Sequence, residues 1–136
     1  MTHGLVRASL VALLGLSAAC LSWAATIRVQ PGQDLAAAVQ SAAPGDVVEV
    51  QRGMYRANLL IDKPLTLRGI HRPTLSGGLT GDTIRVTAPD VVIEGLIVRD
   101  SGSSLKEQNA GIYLYPGAHR AVVQNCDLTY NLFGLW

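Results

Sequence analysis

The chain has 136 residues, with eleven Lys and Arg against ten Asp and Glu and a net charge of +1. It carries no basic block, which argues against nucleic acid as a partner. Its hydrophobic content is 49%, yet it holds only one Phe and two Trp, so any core must be built from Val, Leu and Ile.

The first 24 residues read as a secretory leader. Arg7 supplies a positive charge, an apolar stretch runs from Ala8 to Leu21, and Ser22-Trp23-Ala24 places small residues at −3 and −1 of a cleavage site after Ala24. The apolar run is shorter than the ~20 residues of a membrane-spanning helix, so no transmembrane segment is expected after cleavage. Cys20 raises the alternative of a lipoprotein signal, although Ser17 stands where such a site wants Leu. The expected organisation is a leader over 1–24 and a single exported domain over 25–136. With Arg7 gone, ten Lys and Arg balance ten Asp and Glu. Cys126 is then the remaining cysteine, which rules out a disulfide within this segment. It falls in a strand pattern and reads as a small buried hydrophobe.

Thr26 to Val29 alternates and predicts a short strand, turned by Pro31-Gly32. Asp34 then caps a helix carrying Leu35, Ala38, Val39 and Ala42 at helical spacing, stopped by Pro44-Gly45. Beyond Ala43 the pattern is strands only: Asp46–Val50, Asn58–Ile61, Leu65–Leu67, a weak Ile70–Leu75, Thr83–Val86, Val91–Ile93, Leu96–Val98, Gly111–Leu114, Ala121–Val123 and Cys126–Leu128. Arg52-Gly53 reads as a turn.

One unit recurs. Leu65-Thr66-Leu67-Arg68-Gly69, Val91-Val92-Ile93-Glu94-Gly95 and Ala121-Val122-Val123-Gln124-Asn125 are alternating strands. Each ends in a residue that tolerates left-handed backbone angles. Such a period marks a solenoid. The predicted fold is all-β: a right-handed parallel β-helix with a short N-terminal capping helix, preferred to an antiparallel sandwich because the corner residues recur so regularly. A βαβ fold would need helices between its strands. Phe133-Gly134-Leu135-Trp136 echoes the rung beginning at Ala110-Gly111-Ile112-Tyr113, with no capping unit after it. The expectation is therefore the front part of a longer β-helix, truncated before its cap.

Pro44-Gly45-Asp46-Val47-Val48-Glu49-Val50 with Arg52-Gly53-Met54-Tyr55 looks like the opening of pectin-lyase-like (CASH) β-helix proteins. Leu59 through Gly69, Gly81-Asp82-Thr83-Ile84-Arg85-Val86 and Asn109-Ala110-Gly111-Ile112-Tyr113 more closely resemble the start of the NosD family, periplasmic copper-maturation factors for nitrous oxide reductase. The resemblance implies a non-enzymatic accessory role in building the reductase's copper–sulfur centre. It implies as partners the reductase, the ATPase and membrane subunits of an ABC transporter, and a copper chaperone.

The residues themselves assign no metal site. Met54, His71, His119 and Cys126 are the types that suit copper, but no two share a ligand spacing, and both histidines read as turn residues. No bound cofactor is expected, and copper is the ion the resemblance implies. The rival class, a polysaccharide-binding or polysaccharide-degrading β-helix protein, needs clustered carboxylates. Its candidates are Asp62, Asp82, Asp90, Glu94, Asp100, Glu107 and Asp127. Asp62 and Asp90 occupy similar corners and read as turn formers, with stacking of the two as the alternative; Arg68 and Glu94, one rung apart, are candidates for a stacked ion pair. No catalytic residue is assigned. Tyr113 and Tyr115 alternate with Ile112 and Leu114, so they are the partner-contact candidates on the outer face, with His119 in the corner beyond.

Overall fold

A computed structural model describes residues 23–136. The expected leader lies, up to position 22, outside the described residues, as does Cys20. The elements are β1 (Thr26–Val29), α1 (Leu35–Ser41), β2 (Val47–Val50), β3 (Met54–Arg56), β4 (Leu59–Ile61), β5 (Thr66–Gly69), β6 (Thr74–Ser76), β7 (Ile84–Val86), β8 (Val92–Glu94), β9 (Ile97–Arg99), β10 (Ala110–Leu114), β11 (Val122–Gln124), β12 (Asp127–Thr129) and β13 (Phe133–Leu135). All strand pairs are parallel. Three sheets result: β1-β2-β5-β8-β11, β4-β7-β10-β13 and β3-β6-β9-β12. Below they are the first, second and third sheets. This is a parallel β-solenoid. Each full turn takes one strand from every sheet.

The core follows from alternation on three faces at once. Val48, Leu67, Ile93 and Val123 stack in register in the first sheet. Leu59, Ile84 and Ile112 do so in the second, and Tyr55, Leu75, Val98 and Leu128 in the third. Apart from the half-buried Val123 and Leu128, all of these are buried. A narrow interior filled from three sides needs one aliphatic side chain per strand position. That is why a chain so poor in Phe and Trp can close it. Tyr55 is the large exception, and its hydroxyl donates to Val29 O (3.0 Å) and Gln51 O (2.7 Å), which satisfies a buried polar group. The strand over Met54–Arg56 follows the Arg52-Gly53 turn and is not marked in the sequence pattern, because only Tyr55 of its three residues points inward.

α1 takes the place of a second-sheet strand in the first turn. It packs Leu35 and Val39 inward, and Gln40 Nε2 donates to Leu60 O of β4 at 3.0 Å. The edge of the second sheet is thereby covered, which keeps another strand from adding there. Asp34 is the N-cap, accepting from Ala37 N at 3.0 Å. Asp34→Ala is expected to lower stability by about 1 kcal/mol, read as a shift of the urea midpoint at constant slope.

The corner residues only partly follow expectation. Gly95 and Asn125 are left-handed, at φ +72° and +53°, but Gly69 is not; His71 and Arg72 take that conformation instead, at +58° and +52°. Gly69 is required for space: a Cβ there would run into the carbonyl of Gly95 on the next turn.

Candidate functional site

Alternation in β10 turns Ile112 and Leu114 inward and leaves Tyr113 on the outer face. Parallel register sets Arg85 beside Tyr113 and Leu60 beside Arg85. Tyr115 is one outward position further on. Its ring centroid lies 4.1 Å from that of Tyr113, and Trp136 lies 6.5 Å from Tyr113 on the other side. The Arg85 guanidinium sits 5.1 Å from the centre of the Tyr115 ring, within cation–π range. Both tyrosines are half-buried because their neighbours cover them.

Asp82 anchors this stripe. Its side chain is 2% exposed. It accepts from Ala110 N (2.9 Å), Arg85 Nε (3.2 Å) and the Tyr115 hydroxyl (3.4 Å). Tyr113 in turn donates to Gln108 Oε1 at 3.1 Å. Burial first, and Asp82 and Tyr113 nearby, push the Tyr115 hydroxyl pKa up against the opposing pull of Arg85, so it stays protonated through neutral pH. Beside the stripe, Asn58, Leu60, Thr80, Asp82 and Arg85 line a hollow of about 330 Å³. Of the three contact residues expected from sequence, the structure brings Tyr113 and Tyr115 together. His119 stands on the exposed corner that follows β10, where its carbonyl accepts from Asp90 N at 2.9 Å. Sequence reading missed Arg85 and weighed Asp82 only among the carboxylates, not beside the tyrosines. The signal for Arg85 was the outward position in Ile84-Arg85-Val86, one turn before Tyr113.

Of the carboxylates weighed as acid–base candidates, Asp82, Asp90, Glu94, Asp100 and Asp127 are engaged by arginines. Along the first sheet an alternating ladder runs Arg28, Glu49, Arg68, Glu94, Gln124, one residue per turn. Arg28–Glu49 is 3.4 Å, Arg68–Glu49 3.9 Å, Arg68–Glu94 2.7 Å and Gln124–Glu94 2.9 Å. The candidate Arg68–Glu94 pair is thus one step of a longer row. Asp90 is held by Arg120 (2.6 and 2.9 Å), Asp100 by Arg99 (3.0 Å), and Asp127 by Arg72. Asp62 and Asp90 do not stack. The pairings Ile61↔Val86 and Thr66↔Val92 put Asp62 opposite Thr87 and Asp90 opposite Pro64, at opposite ends of the corner.

The hydrogen bond from Arg68, then that from Gln124, holds the Glu94 carboxyl below the ordinary range, with burial opposing. A depressed folded pKa contributes stability that is full above the unfolded value of about 4.3 and is lost as pH falls through the folded one. Arg68 is 42% exposed, so the contribution is below about 1 kcal/mol. Glu94→Gln is expected to flatten the acid limb of a stability–pH curve below about pH 4.5 and to leave the neutral limb nearly unchanged.

Among the described residues, no group of three or more His, Cys, Asp or Glu side chains lies together. Met54 is exposed on β3, and His71 sits in the left-handed corner after β5. The Cys126 thiol is half-buried at the turn before β12, its pKa pushed up by burial. Burial thus disfavours the thiolate that a nucleophile needs.

The fold and its outer faces define a parallel β-helix whose surface is a set of stacked ladders rather than a deep cleft. No protein-family model and no solved structure matches the chain. Over 84 residues, 62% of this chain, it is 37% identical to the probable ABC transporter binding protein NosD of Pseudomonas aeruginosa, of which it covers 20%. The NosD of Stutzerimonas stutzeri is 27% identical over 84 residues, again 62% of this chain and 19% of the relative. Across that region the chain is NosD-like. It spans about a fifth of the length of the curated relatives it matches.

Proposed function

We propose that this chain is a non-catalytic accessory protein acting beside an ABC transporter in the periplasm, where it assists assembly of the copper–sulfur centre of nitrous oxide reductase. The observation that carries the reading is the likeness to two relatives named as probable ABC transporter binding proteins NosD. The reductase and the copper chaperone enter as partners through the NosD resemblance of the strings around Leu59–Gly69 and Asn109–Tyr113. Copper is cargo in this reading, with its ligands downstream in a longer chain or on the partners rather than on Met54, His71, His119 or Cys126. The chain's own part is to hold a partner against a flat face, and the Tyr113–Tyr115–Arg85 stripe has the composition that contact faces favour.

The test is the copper content of nitrous oxide reductase from cells lacking this gene, complemented with this chain or with a full-length NosD. An empty copper–sulfur centre restored by complementation supports the reading. A fully loaded reductase in the knockout, with no second copy of the gene, overturns it. A second reading, binding of a glycan, is favoured by the hollow beside two stacked tyrosines with Arg85 and Asp82 at its rim. Incubation with acidic polysaccharides, with and without calcium, separates the two: retention on the glycan or release of reducing ends selects the second.

A further inference from the structure

Asp46 is the least expected charge in the molecule. It is 6% exposed, and buried carboxylates are almost always paired. Asp82, the other buried Asp, has Arg85. Among the described residues, Asp46 has no Lys or Arg within 4 Å. Its oxygens accept instead from two backbone amides, Ala43 N at 2.8 Å and Ala25 N at 2.9 Å. These two bonds, Ala25 first, hold its pKa below the ordinary range against burial, so the carboxylate is charged at neutral pH.

The second observation lies just before β1. Ala25 is clamped at both ends: its N–H lies on Asp46, and its carbonyl accepts Val47 N at 2.9 Å. Trp23 is 85% exposed, and Trp23 and Ala24 stand outside any strand. The cleavage pattern in the sequence ends at Ala24. The accessible, extended peptide that a processing enzyme needs therefore stops at the residue that Asp46 holds.

We propose that leader removal between Ala24 and Ala25 sets the new α-ammonium of Ala25 on the Asp46 carboxylate, giving this buried charge its counter-ion and fastening β1 to the next turn. The step is a hydrolysis by an endopeptidase of the export route. The oxygen of water bonds to the Ala24 carbonyl carbon, and the C–N bond to Ala25 breaks. Ala24 departs with the leader as a carboxylate, and the Ala25 nitrogen takes both water protons to become –NH₃⁺. Before cleavage the same nitrogen offers Asp46 a neutral amide; afterwards it offers a charge-assisted bond of the stronger kind. The processed chain is thus more firmly closed at its first turn than the precursor.

The other charges around this point are committed elsewhere. Lys63, whose field reaches Asp46, donates to Gln40 O (2.6 Å) and Ala42 O (2.9 Å) at the end of α1. Arg28 and Glu49 face each other on the outer side of β1 and β2, and Asp34 caps α1. Lys63 lowers the affinity of the ammonium for its proton, and the adjacent Asp46 raises it more.

The full 136-residue chain is to be expressed in an exporting Gram-negative host and recovered from the periplasm. Intact mass and N-terminal sequencing should give Ala25 as the first residue. Its α-amine, followed by the pH dependence of acetylation, should hold its proton about tenfold more tightly than a free terminus of pKa about 7.7–8.0. A folded pKa raised above the unfolded one contributes stability that is full below about pH 7.7 and is lost as pH rises through the folded value. The thermal midpoint should accordingly step down in that alkaline window.

Asp46→Asn should abolish the step. Because that variant also forfeits the Ala43 bond and risks not folding, a second variant inserts Gly-Ser between Ala24 and Ala25. Processing then leaves the charge two residues upstream while Ala25 keeps its amide on Asp46, and the step should shrink in a folded protein. A mature terminus at Cys20 or elsewhere, an α-amine with an ordinary pKa, or an insertion variant with an undiminished step would each overturn the proposal. None of these outcomes bears on the copper-assembly reading.

Discussion

Gly69→Ala is expected to lower stability by about 3 kcal/mol or more, enough to leave a marginal solenoid largely unfolded. The corner where the first sheet passes to the third brings the backbones of successive turns close together. A Cβ at Gly69 would meet the carbonyl oxygen of Gly95, with the Gly95 carbonyl carbon and Pro73 Cδ both at 2.8 Å. Neither neighbour is the far end of a flexible side chain, so relief requires a turn of the helix to move. The effect should also reach along the chain, because each turn is supported only by its neighbours. Urea unfolding followed by far-ultraviolet dichroism measures it. Gly95→Ala should be comparably damaging, since it combines a left-handed φ of +72° with a Cβ 2.8 Å from Gly69 O. A Gly69→Ala protein with an unshifted midpoint would mean that the turns slide apart at little cost. The close-packed corner would then contribute nothing to stability.

The periodicity was readable because parallel register forces equivalent residues of successive turns onto one line. Arg68 and Glu94 are 26 residues apart and Glu94 and Gln124 are 30, and both intervals show as repeated strand-and-corner units. The helix over Leu35–Ser41 was readable from its cap and its apolar spacing. The fold was legible at the level of its architecture, and less so where geometry depends on contact between turns. Met54–Arg56 has one inward residue, so neither period is visible in it. At Gly69 the sequence pointed to the right residue for the wrong reason. It could not show that His71 and Arg72 would absorb the left-handed angles while Gly69 was needed for room. The site was legible by half. Tyr113 and Tyr115 announce themselves by alternation along β10 and the residue after it. Arg85 and Asp82 lie a turn earlier, and only the register Arg85↔Tyr113 converts that separation into contact. Asp46 read as the first residue of a strand, and nothing in its neighbours foretold a carboxylate that receives two amides.

Asp82 is where fold and face meet, and two substitutions there should come apart. Asp82→Ala removes the acceptor for Ala110 N. Ala110 is fully buried, and a buried amide left without a partner costs about 1–3 kcal/mol. Loss of the Arg85 pair adds little, because Arg85 is 46% exposed and returns to water. The expected sum is a loss of about 2 kcal/mol, with the strand β10 loosened. Asp82→Asn is the informative partner. Its Oδ1 still accepts from Ala110 N, but an amide NH₂ replaces the oxygen that Arg85 and the Tyr115 hydroxyl use. Stability should fall by less than about 1 kcal/mol, while near-ultraviolet dichroism of the stacked tyrosines weakens as Tyr115 is released. Equal destabilisation by the two variants would show that the Ala110 bond is not what Asp82 supplies to the fold. If the stripe is the contact face, Asp82→Asn should lower complementation of reductase loading while the protein stays folded. A change confined to the tyrosine signal, with complementation intact, would place the working contact on another face of the solenoid.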